Sequence, residues 1–306
     1  MNFDFTLLTD PRYVDPTEIT PYIENILTED HLVQKALERK GFNVQRVSWD
    51  DKQVDWSKTT YAVFRTTWDY FDRFEEFSIW LDDVSKKTKL INAEQLIRWN
   101  IDKHYLGKLQ LKGINIPSTE FIEAGSSIDL GRILYERNWD KLIVKPCVSG
   151  AARHTYLVDR SNLEEVKQVV NELLEHESMM VQEFQEKIVT YGEVSLMLFG
   201  ENYSHAVRKK AKSGDFRVQD DHGGTLHDHE ATEEEIAFAQ ACVRACPVMP
   251  IYARIDLFYN NDGKIALGEL ELIEPELWFR RKPESAVLFA NELTKRFEPT
   301  ALGNHS

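Results

Sequence analysis

Carboxylates crowd a short stretch near the C-terminal end of the chain. In Leu267-Gly268-Glu269-Leu270-Glu271-Leu272-Ile273-Glu274-Pro275, the alternation of a strand puts Glu269 and Glu271 on one face and Leu270 and Leu272 on the other. Upstream, Asp256 sits in the mostly apolar run Ala253-Arg254-Ile255-Asp256-Leu257-Phe258, and Asn260-Asn261-Asp262-Gly263 between the two runs reads as a turn. If the runs pair as a hairpin, Asp256 meets the face that carries Glu269 and Glu271. Converging carboxylates repel unless a cation neutralises them, and Mg²⁺ (or Mn²⁺) takes a few carboxylate oxygens together with phosphate oxygens. A solvated charged face is the competing explanation. An acid inside an otherwise apolar strand favours the metal.

Basic residues supply the other half of a phosphate chemistry. Lys145 ends the run Leu142-Ile143-Val144-Lys145-Pro146; a lysine leaving a buried strand at a turn can reach a phosphate as a point charge. Lys103 opens a helix after Trp99-Asn100-Ile101-Asp102 and, taken alone, reads as a surface lysine. Ser149-Gly150-Ala151-Ala152 has small residues whose backbone N–H groups could approach phosphate, although neither a Walker A nor a G-x-G-x-x-G pattern occurs. Gln182-Glu183-Phe184 ends an apolar strand and offers a backbone edge and an aromatic ring to a flat base, yet most strand ends of this kind are structural. Glu193 follows Gly192 at the start of the next strand. The stretch from Arg208 and Lys209 through Gly214-Asp215-Phe216-Arg217 to Gly223-Gly224 is densely basic. It is either a solvated charge run or a loop that closes on anionic groups.

The elements that must position these residues alternate. Strands are expected at residues 5–8, 42–47, 61–64 and 89–91, with helices over 30–40 and 74–86, which suggests a small doubly wound sheet. A helix through Lys103, Leu106 and Leu109 follows, then strands at 119–123, 142–145, 155–158 and 179–184. Ser161-Asn162-Leu163-Glu164 reads as a capping box for a helix ending at Leu174. Long strands are expected at 193–199, 203–209, 251–259 and 265–273. Thr232-Glu233-Glu234-Glu235 caps a helix to Ala245, and a last helix covers 284–296. The fold class is α/β (α+β).

A formal net charge of −14 over 306 residues argues against general binding to nucleic acid or an anionic membrane, both of which need a basic face. No apolar run approaches a membrane span, and the start Met1-Asn2-Phe3-Asp4-Phe5 lacks the features of a signal peptide. Cys147, Cys242 and Cys246 are an odd number and fit a reducing, cytoplasmic setting. Cys242 and Cys246, four apart on an amphipathic helix, read as core rather than as zinc ligands.

In order along residues 95–280, these pieces resemble the ATP-grasp superfamily, and within it the branch of glutathione synthetase and the ligases that add glutamate to ribosomal protein. The resemblance rests most on the basic stretch through Gly214-Asp215-Phe216-Arg217 to Gly223-Gly224, and on Glu-x-Glu-x-x-Glu-Pro paired with Asp256. It implies that Lys103 and Lys145 contact phosphate and that Gln182, Glu183 and Phe184 form the adenine linker. Glu193 would bind ribose, with Lys209 also at the nucleotide, and Arg217 would steady the transferred phosphoryl group. Asp256, Glu269 and Glu271 would hold the metal. Glu271 stands where relatives commonly have Asn, and the loop after Lys145 lacks the usual glycines. The first ninety or so residues, with Leu8-Thr9-Asp10-Pro11 and Arg65-Thr66-Thr67-Trp68-Asp69-Tyr70, resemble a narrower group that includes the cycloserine-forming ligase. Arg65, Trp68 and Asp69 thereby become candidates for substrate recognition, with Trp68 and Tyr70 equally readable as core.

The implied enzyme uses ATP and Mg²⁺ to turn a small-molecule carboxylate into an acyl-phosphate for attack by an amine. Alternatives are a kinase or an intramolecular cyclase on the same fold, or a non-catalytic nucleotide-binding protein. The implied parts are an N-terminal substrate domain (1–94), a central lid (95–185), a catalytic domain (186–298) and a loose tail (299–306). Its partners would be small molecules, and self-association is left open.

Overall fold

The computed structural model describes residues 2–212, 214, 215, 217 and 223–295. Strands β1 (Phe3–Thr9), β2 (Val44–Ser48), β3 (Thr59–Thr66) and β4 (Lys89–Ile91) make a parallel sheet in the order β2-β1-β3-β4. Helix α1 (Pro21–Glu38) joins β1 to β2, and α2 (Phe74–Val84) lies between β3 and β4. α1 starts well before the residue 30 that periodicity suggested. Thr20 caps it by accepting from the Ile23 N–H, and Pro21 occupies its first turn. The apolar pattern hid this because the buried face carries Glu29 and Asp30, which pair with Arg280 and with Arg46 and Arg65.

Helices α3 (Glu94–Ile101) and α4 (Tyr105–Gln110) lead to a second sheet. In it β5 (Thr119–Ile122), β6 (Leu142–Pro146), β7 (Tyr156–Val158) and β8 (Met179–Glu183) run antiparallel in the order β5-β8-β6-β7. α5 (Leu130–Arg137), which the sequence reading missed, and α6 (Leu163–Leu174) pack Ile133, Leu134, Val166 and Val170 onto Leu142 and Val144. The capping box foreseen at Ser161 does not form. Asn162 is the cap residue, and the Ser161 hydroxyl donates to Asp159 instead.

After α7 (Glu186–Thr190), the third sheet comprises β9 (Glu193–Phe199), β10 (Asn202–Lys210), β11 (Thr225–His229), β12 (Tyr252–Tyr259) and β13 (Ile265–Glu271). Its order is β11-β10-β9-β12-β13, all antiparallel. α8 (Glu233–Arg244) has the capping box between Thr232 and Glu235, and α9 (Glu284–Lys295) packs against α1. Among the described residues no helix is long and apolar enough to cross a membrane. The tail assigned to 299–306, and residue 296 of the last expected helix, lie outside the described residues.

β13 is an edge strand, so its outer backbone groups need partners. Asn100 supplies two, accepting from the Leu272 N–H and donating to the Leu270 carbonyl at 2.9 and 2.7 Å, while the Tyr105 hydroxyl accepts from the Leu270 N–H. Asn92 joins β12 and β13 in the same way, donating to the carbonyls of Tyr252 and Leu272. The acidic strand is thus held from both sides, which a free edge would not be.

Candidate active site

The β12–β13 hairpin sets Asp256 opposite Glu269 and Arg254 opposite Glu271. The register then slips, with Leu257 opposite Leu267, leaving Gly268 as the extra residue of a bulge. A Cβ on Gly268 would stand 3.0 Å from the Phe258 ring, so a side chain there would press on that ring. All three carboxylates line one cavity of about 440 Å³, together with Lys103, Lys145, Glu193, Lys209 and Arg217.

Cations and carboxylates neutralise each other in this cavity. Asp256 accepts from the Ser195 hydroxyl at 2.6 Å, from Arg254 at 2.8 Å and from Lys209 at 3.1 Å. Lys209 also pairs with Glu193 at 2.5 Å, Lys103 pairs with Glu269 at 3.1 Å, and Arg254 reaches Glu271. Burial would raise the Asp256 carboxyl, but Arg254 and Lys209 hold it well below the usual range. Burial likewise opposes ionisation of Glu269, yet Lys103 and Lys145 lower its pKa. Glu271 goes the other way: burial wins over Arg254 and raises it. Burial lowers Lys145, with Glu269 acting against the shift. Such a set of hard oxygen donors beside buried ammonium groups fits a divalent metal and a polyphosphate, because each could take over partners the residues now give one another.

Arg254 escaped the sequence reading although the signal was present. It lies two residues before Asp256, hence on the same strand face, and its guanidinium sits 5.1 Å over the Trp278 ring.

At the other wall, Gln182 donates to the Thr119 hydroxyl, and Lys141 lies 5.3 Å from the Phe184 ring. The backbone edge expected here is partly taken, since the N–H groups of Glu183 and Phe184 donate to the carbonyls of Ser118 and Lys141. Asn261 donates to the Phe184 carbonyl and to Glu183. Arg217 reaches the cavity from a loop where it forks onto Asp215 at 2.8 and 3.1 Å. Residues 213, 216 and 218–222 of that basic stretch lie outside the described residues. Cys147, Cys242 and Cys246 are buried, unpaired thiols, and burial pushes Cys147 and Cys246 up to about 12.

The three N-terminal candidates separate. Trp68 lines the cavity and donates to the Glu274 carbonyl at 2.9 Å. Arg65 does not line it: 1 % exposed, it pairs with Asp30 and lies over the Phe279 ring at 5.3 Å. Asp69 is also absent from the lining, and accepts from the Trp49 indole and from Arg73 at 2.8 and 2.7 Å. A substrate contact for either is therefore replaced by a structural role: Arg65 neutralises a buried acid, and Asp69 ties a loop to the core. Arg12, Tyr13, Tyr22, Tyr70, Glu274 and Glu276 line the cavity instead. Burial, then Glu271, pushes Glu274 up to about 8.

Comparison with known proteins gives the family and the fold. Residues 107–271 match the RimK-like ATP-grasp domain family, and residues 5–92 match the N-terminal domain of D-cycloserine synthetase DcsG. The chain is 30% identical over 283 residues to the cycloserine biosynthesis protein DcsG of Streptomyces lavendulae, covering 87% of this chain and 92% of that one. A crystal structure of D-cycloserine synthetase DcsG superposes with a TM-score of 0.83 at 27% identity, covering 96% of this chain and 99% of that one. D-alanine–D-alanine ligase from Bacillus anthracis complexed with ATP shares the fold, with a TM-score of 0.63 at 13% identity over 95% of this chain and 94% of that one.

Proposed function

The chain is a member of the RimK-like ATP-grasp family, an ATP-dependent ligase that forms C–N bonds, and we propose that it activates an amino-acid-like carboxylate as an acyl-phosphate with Mg²⁺ (or Mn²⁺). The register that sets Asp256 opposite Glu269, at the end of a cavity also lined by Lys103, Lys145 and Lys209, carries this reading. Asp256, Glu269 and Glu271 offer the oxygens for the metal, which when bound neutralises charge on the transferring phosphoryl group. Lys103 and Lys145 hold phosphate oxygens, and Arg217 steadies the phosphoryl group as the substrate carboxylate attacks it in line. An amine then displaces phosphate. Catalysis is mostly positioning and electrostatics. Gln182, Glu183 and Phe184 flank the base, and Glu193, released from Lys209, takes the ribose hydroxyls.

The substrate occupies the end lined by Arg12, Tyr13, Tyr22 and Trp68, where a guanidinium and carboxylates both face the cavity. The three sheets support a division into a substrate part (1–94), a lid (95–185) and a catalytic part (186–298). The buried thiols and the charge of −14 support a cytosolic enzyme acting on small molecules. The match of residues 5–92 to a cycloserine synthetase domain favours a second reading, ring closure within one amino acid. Incubating the protein with ATP, Mg²⁺ and a panel of D- and L-amino acids, some with side-chain amine or aminooxy groups, tests both. ADP, phosphate and a product one water lighter than its precursors are expected; loss of water from a single substrate marks cyclisation. A phosphorylated product would instead mean a kinase, and no ADP with any substrate would refute the reading.

A further inference from the structure

Gly150 has no Cβ, and the structure shows what one would meet. A methyl group there would fall 2.4 Å from one carbon of the Phe71 ring and 2.8 Å from the next. Gly150 is not among the residues with positive φ, so the ring, not the backbone conformation, excludes a side chain. Phe71 comes from the loop between β3 and α2, and Gly150 from the loop after β6, so two separate sheets meet at this contact. Both residues line the cavity.

Phe71 belongs to a run of turns in which Tyr70, Asp72 and Arg73 donate to the carbonyls of Thr67, Asp69 and Tyr70. Asp69 and Arg73 anchor that run to Trp49 and Asp50. The facing loop is strained, with Ala151, Ala152 and His154 at φ of 47, 57 and 49°, a region where a side chain is unfavourable. Its conformation is held by contacts: the Ser149 hydroxyl donates to the Arg153 carbonyl, Arg153 forks onto Glu177 at 2.8 and 3.0 Å, and its Nε lies 3.8 Å from Asp72. Lys103 donates to the Ser149 carbonyl.

We infer that Phe71 is a positioning residue: its ring is the stop against which the Ser149–Ala152 backbone rests over the reacting phosphate, so that the substrate loop sets the height of the phosphate loop. The inference rests on the reading above that this cavity binds ATP and forms an acyl-phosphate. Trp68 and Tyr70, on the same short loop as Phe71, also line the cavity, so a substrate packed on them steadies the stop. A displaced phosphate loop admits water. Water then adds to the acyl carbon, the bond from that carbon to the phosphate oxygen breaks, and carboxylate, inorganic phosphate and a proton leave without coupled product.

A double-variant cycle on the full chain reads this directly. Gly150→Ala pushes the loop off the ring and is expected to lower coupled turnover by about 10²-fold, a size typical of small misplacements. Phe71→Ala makes room but removes the stop, so phosphate released per coupled product rises several-fold while nucleotide affinity by direct titration is kept. The combination should perform like Phe71→Ala alone, recovering most of what Gly150→Ala lost. Thermal melts of all four proteins identify any variant that fails to fold, and Phe71→Leu then replaces Phe71→Ala. Unaffected turnover in Gly150→Ala, a double variant no better than Gly150→Ala, or an unchanged phosphate-to-product ratio in Phe71→Ala would each overturn the inference. Wild-type protein that neither binds nor hydrolyses ATP would overturn the functional reading beneath it.

Discussion

The two ends of the cavity are built on different principles. At one end Lys145, Glu193, Lys209, Arg254, Asp256, Glu269 and Glu271 sit on strands whose register fixes which side chains face each other, and nearly every charge has a counter-charge on a neighbouring strand. At the other, Arg12, Tyr13, Tyr22, Trp68 and Glu276 come from a short helical turn, a helix start and loops far apart in the chain. The aromatic residues are held by a hydrogen bond to a backbone group and by ring contacts, Trp68 to the Glu274 carbonyl and Tyr13 and Tyr22 against Trp68 at 6.1 and 6.3 Å, while Arg12 and Glu276 pair with near neighbours in the chain, Asp10 and Arg280, not across strands. Strands hold chemistry that must be placed to a fraction of an ångström, and loops hold recognition that can change without disturbing it.

That contrast predicts separable damage. The largest effect belongs to Arg217→Lys, since lysine cannot reproduce the paired donors of a guanidinium. Turnover should fall by ~10³ while ATP affinity stays within about tenfold, read from ADP release beside direct nucleotide titration. Equal losses in both would reduce Arg217 to a ground-state contact. Glu269→Gln comes next: it removes a charge that balances Lys103 and should cost about 10²-fold in turnover. A variant turning over normally would remove Glu269 from the chemistry.

At the loop end, Trp68→Phe keeps an aromatic ring, though a smaller one, and deletes the donor to the Glu274 carbonyl. KM for the carboxylate substrate should rise about tenfold, the worth of one hydrogen bond, with KM for ATP unchanged. A matching rise in KM for ATP would show that the ends are not separate.

The smallest effect lies outside the chemistry. His205 is buried, donating from Nε2 to the Leu277 carbonyl and accepting at Nδ1 from the Ser204 hydroxyl, which fixes the neutral ring. Burial holds its pKa down to about 4 from 6.5, so between these values the unfolded chain binds a proton that the folded chain refuses. Stability from this residue is full above about pH 6.5 and declines by ~3 kcal/mol as pH falls toward 4. Urea midpoints across that range should slope accordingly, and His205→Gln should flatten the slope by that amount. An unchanged slope would assign the pH response to other groups.

The sequence by itself picked out the charged residues that gather at the strand end. Alternation put Glu269 and Glu271 on one face, an acid in an apolar strand singled out Asp256, and Lys145 before Pro146 marked a strand exit; the structure brings all four to one cavity. Such features are legible because a strand's period of two is a local property, set by backbone geometry alone. The same period would have found Arg254, two residues before Asp256, had it been applied to the basic residue as well as the acidic one. Tertiary structure alone decided which loop residues face the cavity. Arg65, Trp68 and Asp69 are neighbours in the chain, yet only Trp68 reaches the cavity, because Arg65 is drawn inward by Asp30 of α1 and Asp69 by Trp49 and Arg73. Gly150 stands in a loop whose small residues suggest an approach to phosphate, but nothing in the sequence points to the Phe71 ring against it. A loop has no period from which to read a facing direction, so its contacts are fixed only when distant segments pack.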